Sequence, residues 1–164
     1  MPCWPRRTRR TRLTDVPAPP AFSVWEAGEA LGELDQQLIE AARATLRRHQ
    51  RPVWHMVAAA LRGADGRIWT GLHLGATVGR LSVCAEAVAL GRVVIEGGGI
   101  VDTVVAVRQP KPEEQTEELA VVAPCGACRE MFLDFSPEAR VILPNGAGLL
   151  KLPVRALLPA PYRR

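Results

Sequence analysis

The chain has 164 residues, 48% of them hydrophobic, enough for one domain with a substantial core and too few for two ordinary ones. Its net charge of +4 does not describe a basic globular surface: Arg6, Arg7, Arg9, Arg10 and Arg12 precede the first acid, Asp15, and +4 less these five leaves −1 for the rest. No apolar run reaches the roughly 18 to 20 residues of a membrane helix, and no apolar stretch of a secretory signal follows the arginines, so a soluble, cytoplasmic protein with neither a membrane nor a nucleic-acid partner is expected.

Residues 1–22 combine arginines with Pro17, Pro19 and Pro20 and carry no apolar period. They are expected to be a disordered Arg/Pro-rich extension of a single domain spanning 23–164. From Val24 to Arg48 the apolar positions Leu31, Leu34, Leu38, Ala41, Ala42 and Leu46 recur at three and four, which predicts an amphipathic helix weakened at its start by Gly28 and Gly32. Two apolar runs, Val53 to Leu61 and onward to Leu74, flank a turn at Gly63 to Gly66 and predict a β-hairpin. Ser82 to Glu96 has helical length and is closed by Gly97, Gly98 and Gly99.

The β-branched segment 100–107 reads as a strand, Arg108 to Glu118 as a charged loop, and "LAVVAP" as a second strand running into a helix from Pro124 to Phe135. "ARVILPNGAGLLKL" then reads as strand, Asn-Gly turn, strand. The order of elements predicts an α/β fold in three layers, α/β/α, around one mixed five-stranded sheet. Trp54 and Trp69 are expected to be core or interface residues.

Four cysteines without a secretory signal point to metal or redox chemistry and away from a disulfide framework. Cys84 in "SVCAEAV" and Cys125 and Cys128 in "APCGACRE" each fall at a strand-to-helix junction, where free N–H groups and the helix dipole favour thiolates. Cys125 and Cys128 alone fit a redox pair, a structural metal knuckle or a catalytic metal site. Three thiolates plus an open position is the pattern of catalytic zinc, and Glu86, two residues after Cys84, is placed to face the same cavity without being a ligand. Cys-x-Glu followed by Pro-Cys-x-x-Cys is the signature of zinc-dependent deaminases of amino-bearing heterocycles.

"CAEAVAL", "APCGACRE", "DGRIWTG" and the terminal "LLPAPY" together resemble the cytidine deaminase family, cytidine and blasticidin-S deaminases alike, from about Leu31 to Tyr162. The resemblance implies a cytidine deaminase-like fold and a hydrolase that releases ammonia from a small heterocycle. Zn²⁺ is the implied cofactor, held by Cys84, Cys125 and Cys128. Glu86 is the implied catalytic acid/base, and the Ala85 backbone N–H an implied donor to the substrate's ring carbonyl. His55 aligns with an aromatic that lines the family's pocket, and Tyr162 with one that reaches a neighbouring subunit's site. A homotetramer, or a homodimer, is implied with it. Family members often place an arginine after Cys-x-Glu to offset the third thiolate's charge; Ala87 stands there in this chain, and Arg129 is the candidate substitute.

The family reads ribose with Asn and Glu in a pattern like Gly-x-Asn-x-Glu. "GLHLG" has His73 and Gly75 at those positions, so both sugar-reading groups are absent. The expected substrate is therefore nucleoside-type with altered sugar recognition, the alternative being cytidine or deoxycytidine itself. Of the competing readings, a thioredoxin-like pair needs neither Cys84 nor Glu86. A non-catalytic zinc or ligand-binding domain has no use for Glu86. A polynucleotide-editing deaminase needs a basic groove that the charge balance does not provide.

Overall fold

The computed structural model describes residues 28–49, 51–52, 54–111, 113–146 and 148–162; the expected extension over 1–22 and the boundary at residue 23 lie outside the described residues. α1 (Glu33–His49) buries the stripe Leu38, Ile39, Ala42 and Leu46. It starts later than its apolar period predicts. The Gly32 N–H donates to the Asp35 carboxylate at 3.0 Å, which closes the first turn and starts the helix there. Glu29, within the span expected to be helical, instead pairs with Lys151 through two main-chain hydrogen bonds of 2.9 and 3.0 Å.

β1 (Val57–Gly63) and β2 (Ile68–Leu72) form the expected antiparallel hairpin. After a short 3-10 turn at Gly79–Leu81 come α2 (Ala85–Ile95), β3 (Val101–Arg108) and β4 (Ala120–Val122). α3 (Gly126–Phe135), β5 (Arg140–Asn145) and β6 (Gly148–Pro153) complete the sheet and its cover, and a second 3-10 turn follows at Val154–Leu157. Gly146, in the turn between β5 and β6, takes a φ of 52°, the left-handed conformation an Asn-Gly turn requires.

The mixed sheet has six strands where five were expected. Five follow the order β2-β1-β3-β5-β6, and β4 pairs with β3 off that path. One flank of β3 is long enough for two partners: Ala106–Arg108 pair antiparallel with β4, and Thr103 and Val104 pair parallel with β5. β4 therefore starts beside the end of β3, finishes opposite Ala106 and leads directly into the cysteines of α3.

Alternation along the strands makes the three layers. Ala58 and Ala60 of β1 pack with Val105, Val107 and Ile142 against α1. Ala59 and Leu61 face the other way, where Ala85, Ala89 and Val93 of α2 and Phe132 of α3 cover them. The central strands are buried on both faces and read as continuous apolar runs for that reason. Trp69, 2% exposed, is a core residue as expected, its indole N–H donating to Glu96 at 2.9 Å.

A buried ionic network ties the layers at the end of β1. Arg62 donates to Asp35, Asp102 and Thr103, and Lys151 of β6 donates to Asp35 at 2.9 Å. Burial raises the Asp35 pKa, but the Lys151 ammonium, the Gly32 N–H and Arg62 outweigh it and hold the carboxyl below its ordinary range. The two outer strands are also engaged: Arg92 of α2 donates to the Thr70 carbonyl of β2 at 3.0 Å, and Glu29 pairs with β6.

α2 lies on β2 with no side chain between them at Gly71. A Cβ there would stand 2.5 Å from the Ala85 carbonyl oxygen and 2.5 Å from the Ala89 nitrogen, backbone atoms of α2 that cannot rotate away. Gly71→Ala should therefore push the start of α2 off the sheet at a cost of about 1–3 kcal/mol or more. Gly91→Ala, on the same helix with nothing within 4 Å, should be neutral or stabilising by about 0.5–1 kcal/mol. Urea unfolding of both variants checks this, and equal stabilities would contradict the close seating of α2.

Candidate metal centre and active site

Three cysteines reach one point from two helix starts. Cys84 is the N-cap of α2, Cys125 the N-cap of α3, and Cys128 lies in the first turn of α3. The Cys84 sulfur makes no capping hydrogen bond to α2, and the Cys125 sulfur lies within reach of the Cys128 N–H of α3. The three sulfurs lie within 4.8 Å of one another, with Cys84 Sγ and Cys125 Sγ 3.7 Å apart. Zn–S bonds of about 2.3 Å in a tetrahedron put sulfurs about 3.8 Å apart, so the donor set fits one zinc ion with a fourth position left for a small ligand.

The electrostatics agree with a site built for a cation. Burial pushes the Cys128 thiol well up, and the nearby Glu86, Cys125 and Cys84 push it further. Cys84 is raised by burial and by Cys125 and Glu86. Burial also raises Cys125, but hydrogen bonds from the Cys128 N–H and from both other cysteines leave it below its ordinary value. A divalent cation among the sulfurs removes their mutual repulsion.

Glu86, on the first turn of α2, is 5% exposed. Burial raises its carboxyl pKa, opposed by its own N–H, by Cys128 and by His73. A buried carboxyl of raised pKa beside a metal centre is suited to accept and return a proton. Ala85 is the first residue of α2, so its N–H has no intrahelical partner.

The loop between β2 and α2 is clamped by two main-chain bonds of 3.0 Å between Leu74 and Val83, the residue before Cys84. The clamp brings His73 alongside the cysteine and close enough to Glu86 to affect its charge. The His73 N–H donates to the Val57 carbonyl at 2.8 Å, while its Nδ1 is enclosed without a hydrogen-bond partner. His55 Nδ1 lies 2.8 Å from the His73 carbonyl oxygen; the carbonyl only accepts, so the proton of His55 sits on Nδ1. Gly75 offers no side chain, and its N–H donates to the Trp54 carbonyl at 2.8 Å.

Arg129 directs Nε to the Pro124 carbonyl at 2.9 Å and Nη1 to the Leu157 carbonyl at 3.1 Å, joining the turn before Cys125 to the C-terminal 3-10 turn. Tyr162 is 78% exposed and borders a cavity of about 620 Å³ with Leu133, Asp134 and Arg155. That cavity contains none of the cysteines, Glu86 or His73, so within one chain Tyr162 does not join them.

Trp54, expected in the core or at an interface, is not in the core of the single chain. It is 37% exposed, and it lines a cavity of about 300 Å³ together with His73, Gly75, Ala76, Thr77 and Ser82. Its position immediately before His55 was the available signal. Ser82 was also missed; its hydroxyl accepts from the Ala76 N–H at 3.2 Å and shapes the same loop.

The family model for the cytidine and deoxycytidylate deaminase zinc-binding region matches residues 32–143. The blasticidin-S deaminase of Bacillus cereus is 37% identical over 134 residues, covering 82% of this chain and 96% of the relative. Among solved structures, cytidine deaminase from Burkholderia pseudomallei superimposes with a TM-score of 0.64 at 26% identity, over 80% of this chain and all of that one. Cytidine deaminase from Bacillus anthracis shares the fold with a TM-score of 0.67 at 24% identity, over 79% of this chain and 90% of that one. With its three-cysteine centre and these relatives, the chain belongs to the cytidine and deoxycytidylate deaminase family, as a zinc-dependent hydrolytic deaminase.

Proposed function

We propose that this chain deaminates a small, nucleoside-type aminated heterocycle whose sugar or sugar-like substituent is recognised differently from ribose. The observation that carries this reading is the meeting of three sulfurs and a buried carboxyl at the starts of α2 and α3, beside a loop with His73 and Gly75 at the sugar-reading positions. The 37% identity to a blasticidin-S deaminase supports a substrate outside plain cytidine. Cytidine or deoxycytidine deamination is the second reading, favoured by the likeness to solved cytidine deaminases.

In this reading Cys84, Cys125 and Cys128 hold zinc, which when bound supplies the Lewis acidity that brings the pKa of a water down to about 7. Glu86 would take a proton from the water whose oxygen adds to the amino-bearing carbon, deliver it to the adjacent ring nitrogen, and pass the second proton to the amino group as the C–N bond breaks and ammonia leaves. The Ala85 N–H donates to the ring carbonyl of the substrate. His73 offers Nδ1 as a single hydrogen-bonding atom to the substituent, and His55 holds the His73 main chain at the pocket wall. Arg129 contributes positive charge beside the Cys125 turn. Tyr162, exposed in one chain, reaches the site of a neighbouring copy in a cytoplasmic homotetramer or homodimer.

Glu86→Gln should keep zinc and fold while ammonia release falls about 10²- to 10⁴-fold; near-normal turnover would remove Glu86 from the acid/base role. Ammonia release across cytidine, deoxycytidine, cytosine, blasticidin-like nucleosides and aminated triazines and purines identifies the substrate, and silence across the whole panel with zinc-loaded protein would overturn the reading. Cys125→Ser should lower bound zinc measured by metal analysis and lower the melting temperature, because metal binding is coupled to folding of the site. Light scattering at micromolar concentration should give a mass of two or four chains, and a monomer would exclude a shared site at Tyr162.

A further inference from the structure

We propose that Trp54 is a specificity-determining residue that holds the ring substituent of the heterocycle against its indole, supplying by apolar contact what the absent sugar-reading carboxylate would supply by hydrogen bonds. This rests on the deaminase reading of the neighbouring site.

The cavity that Trp54 lines, about 300 Å³, is at the lower end of small-ligand pockets and shares His73 with the catalytic centre. A substituent leaving a ring held near Glu86 therefore passes His73 and meets Trp54. The other lining residues are Gly75, Ala76, Thr77 and Ser82, so the described wall of the cavity carries no acidic or permanently charged side chain. The Ser82 hydroxyl already accepts from Ala76, and Gly75 presents only backbone. The lining holds no carboxylate to take a vicinal diol bidentately; its polar side chains are the imidazole of His73 and the hydroxyls of Thr77 and Ser82. What distinguishes the wall is its one large aromatic side chain, Trp54, set beside His73.

Trp54 is also held in place, which a loosely exposed indole would not be. Its main-chain N–H donates to the Arg51 carbonyl at 3.0 Å, and its main-chain carbonyl accepts from the Gly75 N–H at 2.8 Å, which fixes the backbone that carries the indole. The Arg51 guanidinium carbon lies 5.6 Å from the centre of the indole ring, a cation–π contact. A fixed backbone and a cation on one face of the ring reduce what the side chain must lose in order to bind.

Steady-state kinetics and calorimetry on zinc-loaded wild type, Trp54→Ala and Trp54→Phe separate the possibilities. Trp54→Ala should raise KM for cytidine about tenfold while leaving kcat, and KM for cytosine, within about twofold; Trp54→Phe should recover most of the loss. By calorimetry, uridine should lose affinity in Trp54→Ala and uracil should not. Equal weakening of nucleoside and base, no weakening of either, or a change confined to oligomeric mass would each overturn the proposal. The full substrate panel decides the catalytic reading separately; if wild type deaminates neither cytidine nor cytosine, calorimetry alone decides here: a Trp54-dependent preference for uridine over uracil upholds the proposal, and its absence ends it.

Discussion

The contact of α2 with β2 through Gly71 is the constraint on which the site depends. A helix that rests on a strand with backbone against backbone has its height and axial position set by hard atoms, not by adaptable side chains. Ala85 and Ala89, the small residues on the touching face, are buried in the same layer. Cys84 and Glu86 flank Ala85, so the depth at which α2 sits on the sheet also sets the reach of one sulfur and one carboxyl. α3 brings its two sulfurs from an independent crossover, and the two deliveries must agree to within a few tenths of an ångström for one ion to accept all three.

The centre could be read in the sequence because its chemistry is local. Cys-x-x-Cys puts its two sulfurs on one face of a helix start by spacing, and Cys-x-Glu keeps its sulfur and carboxyl within one turn of another helix start. Their meeting is a long-range fact, which became inferable only because both motifs follow strands of one sheet. The hairpin was legible from its two apolar runs and glycine turn. The start of α1 was not: Leu31 continues the apolar period, yet Glu29 is pulled into the sheet by Lys151, a partner more than a hundred residues away. The sixth strand was obscured for a similar reason, since a three-residue strand has no period of its own and exists through its pairing with β3.

Trp54 shows a different limit. Composition places tryptophan inside, and for Trp69 that holds, because its ring is covered by Arg67 and its N–H has Glu96. Trp54 sits on a turn whose geometry comes from Arg51 and Gly75, residues with no pattern that marks a binding wall. Arg129 makes a related point. Its charge suggested a partner for the thiolates, and its hydrogen bonds go to two carbonyls that join the metal-bearing turn to the end of the chain. Proximity to the sulfurs and commitment of the donors are separate properties, and a string of letters shows neither.

Arg92 on Thr70 and Glu29 on Lys151 bear on how copies of this protein can meet. An open sheet margin is a template for further strands, and both margins here already have chain or side chain laid along part of them. Association by continuing the sheet from one molecule into the next is thereby disfavoured. Copies that assemble are left with helix surfaces and loops, including the exposed Val78, Leu81 and Val83 on the connection that enters α2. The fold thus guards its two sheet margins against endless stacking of strands.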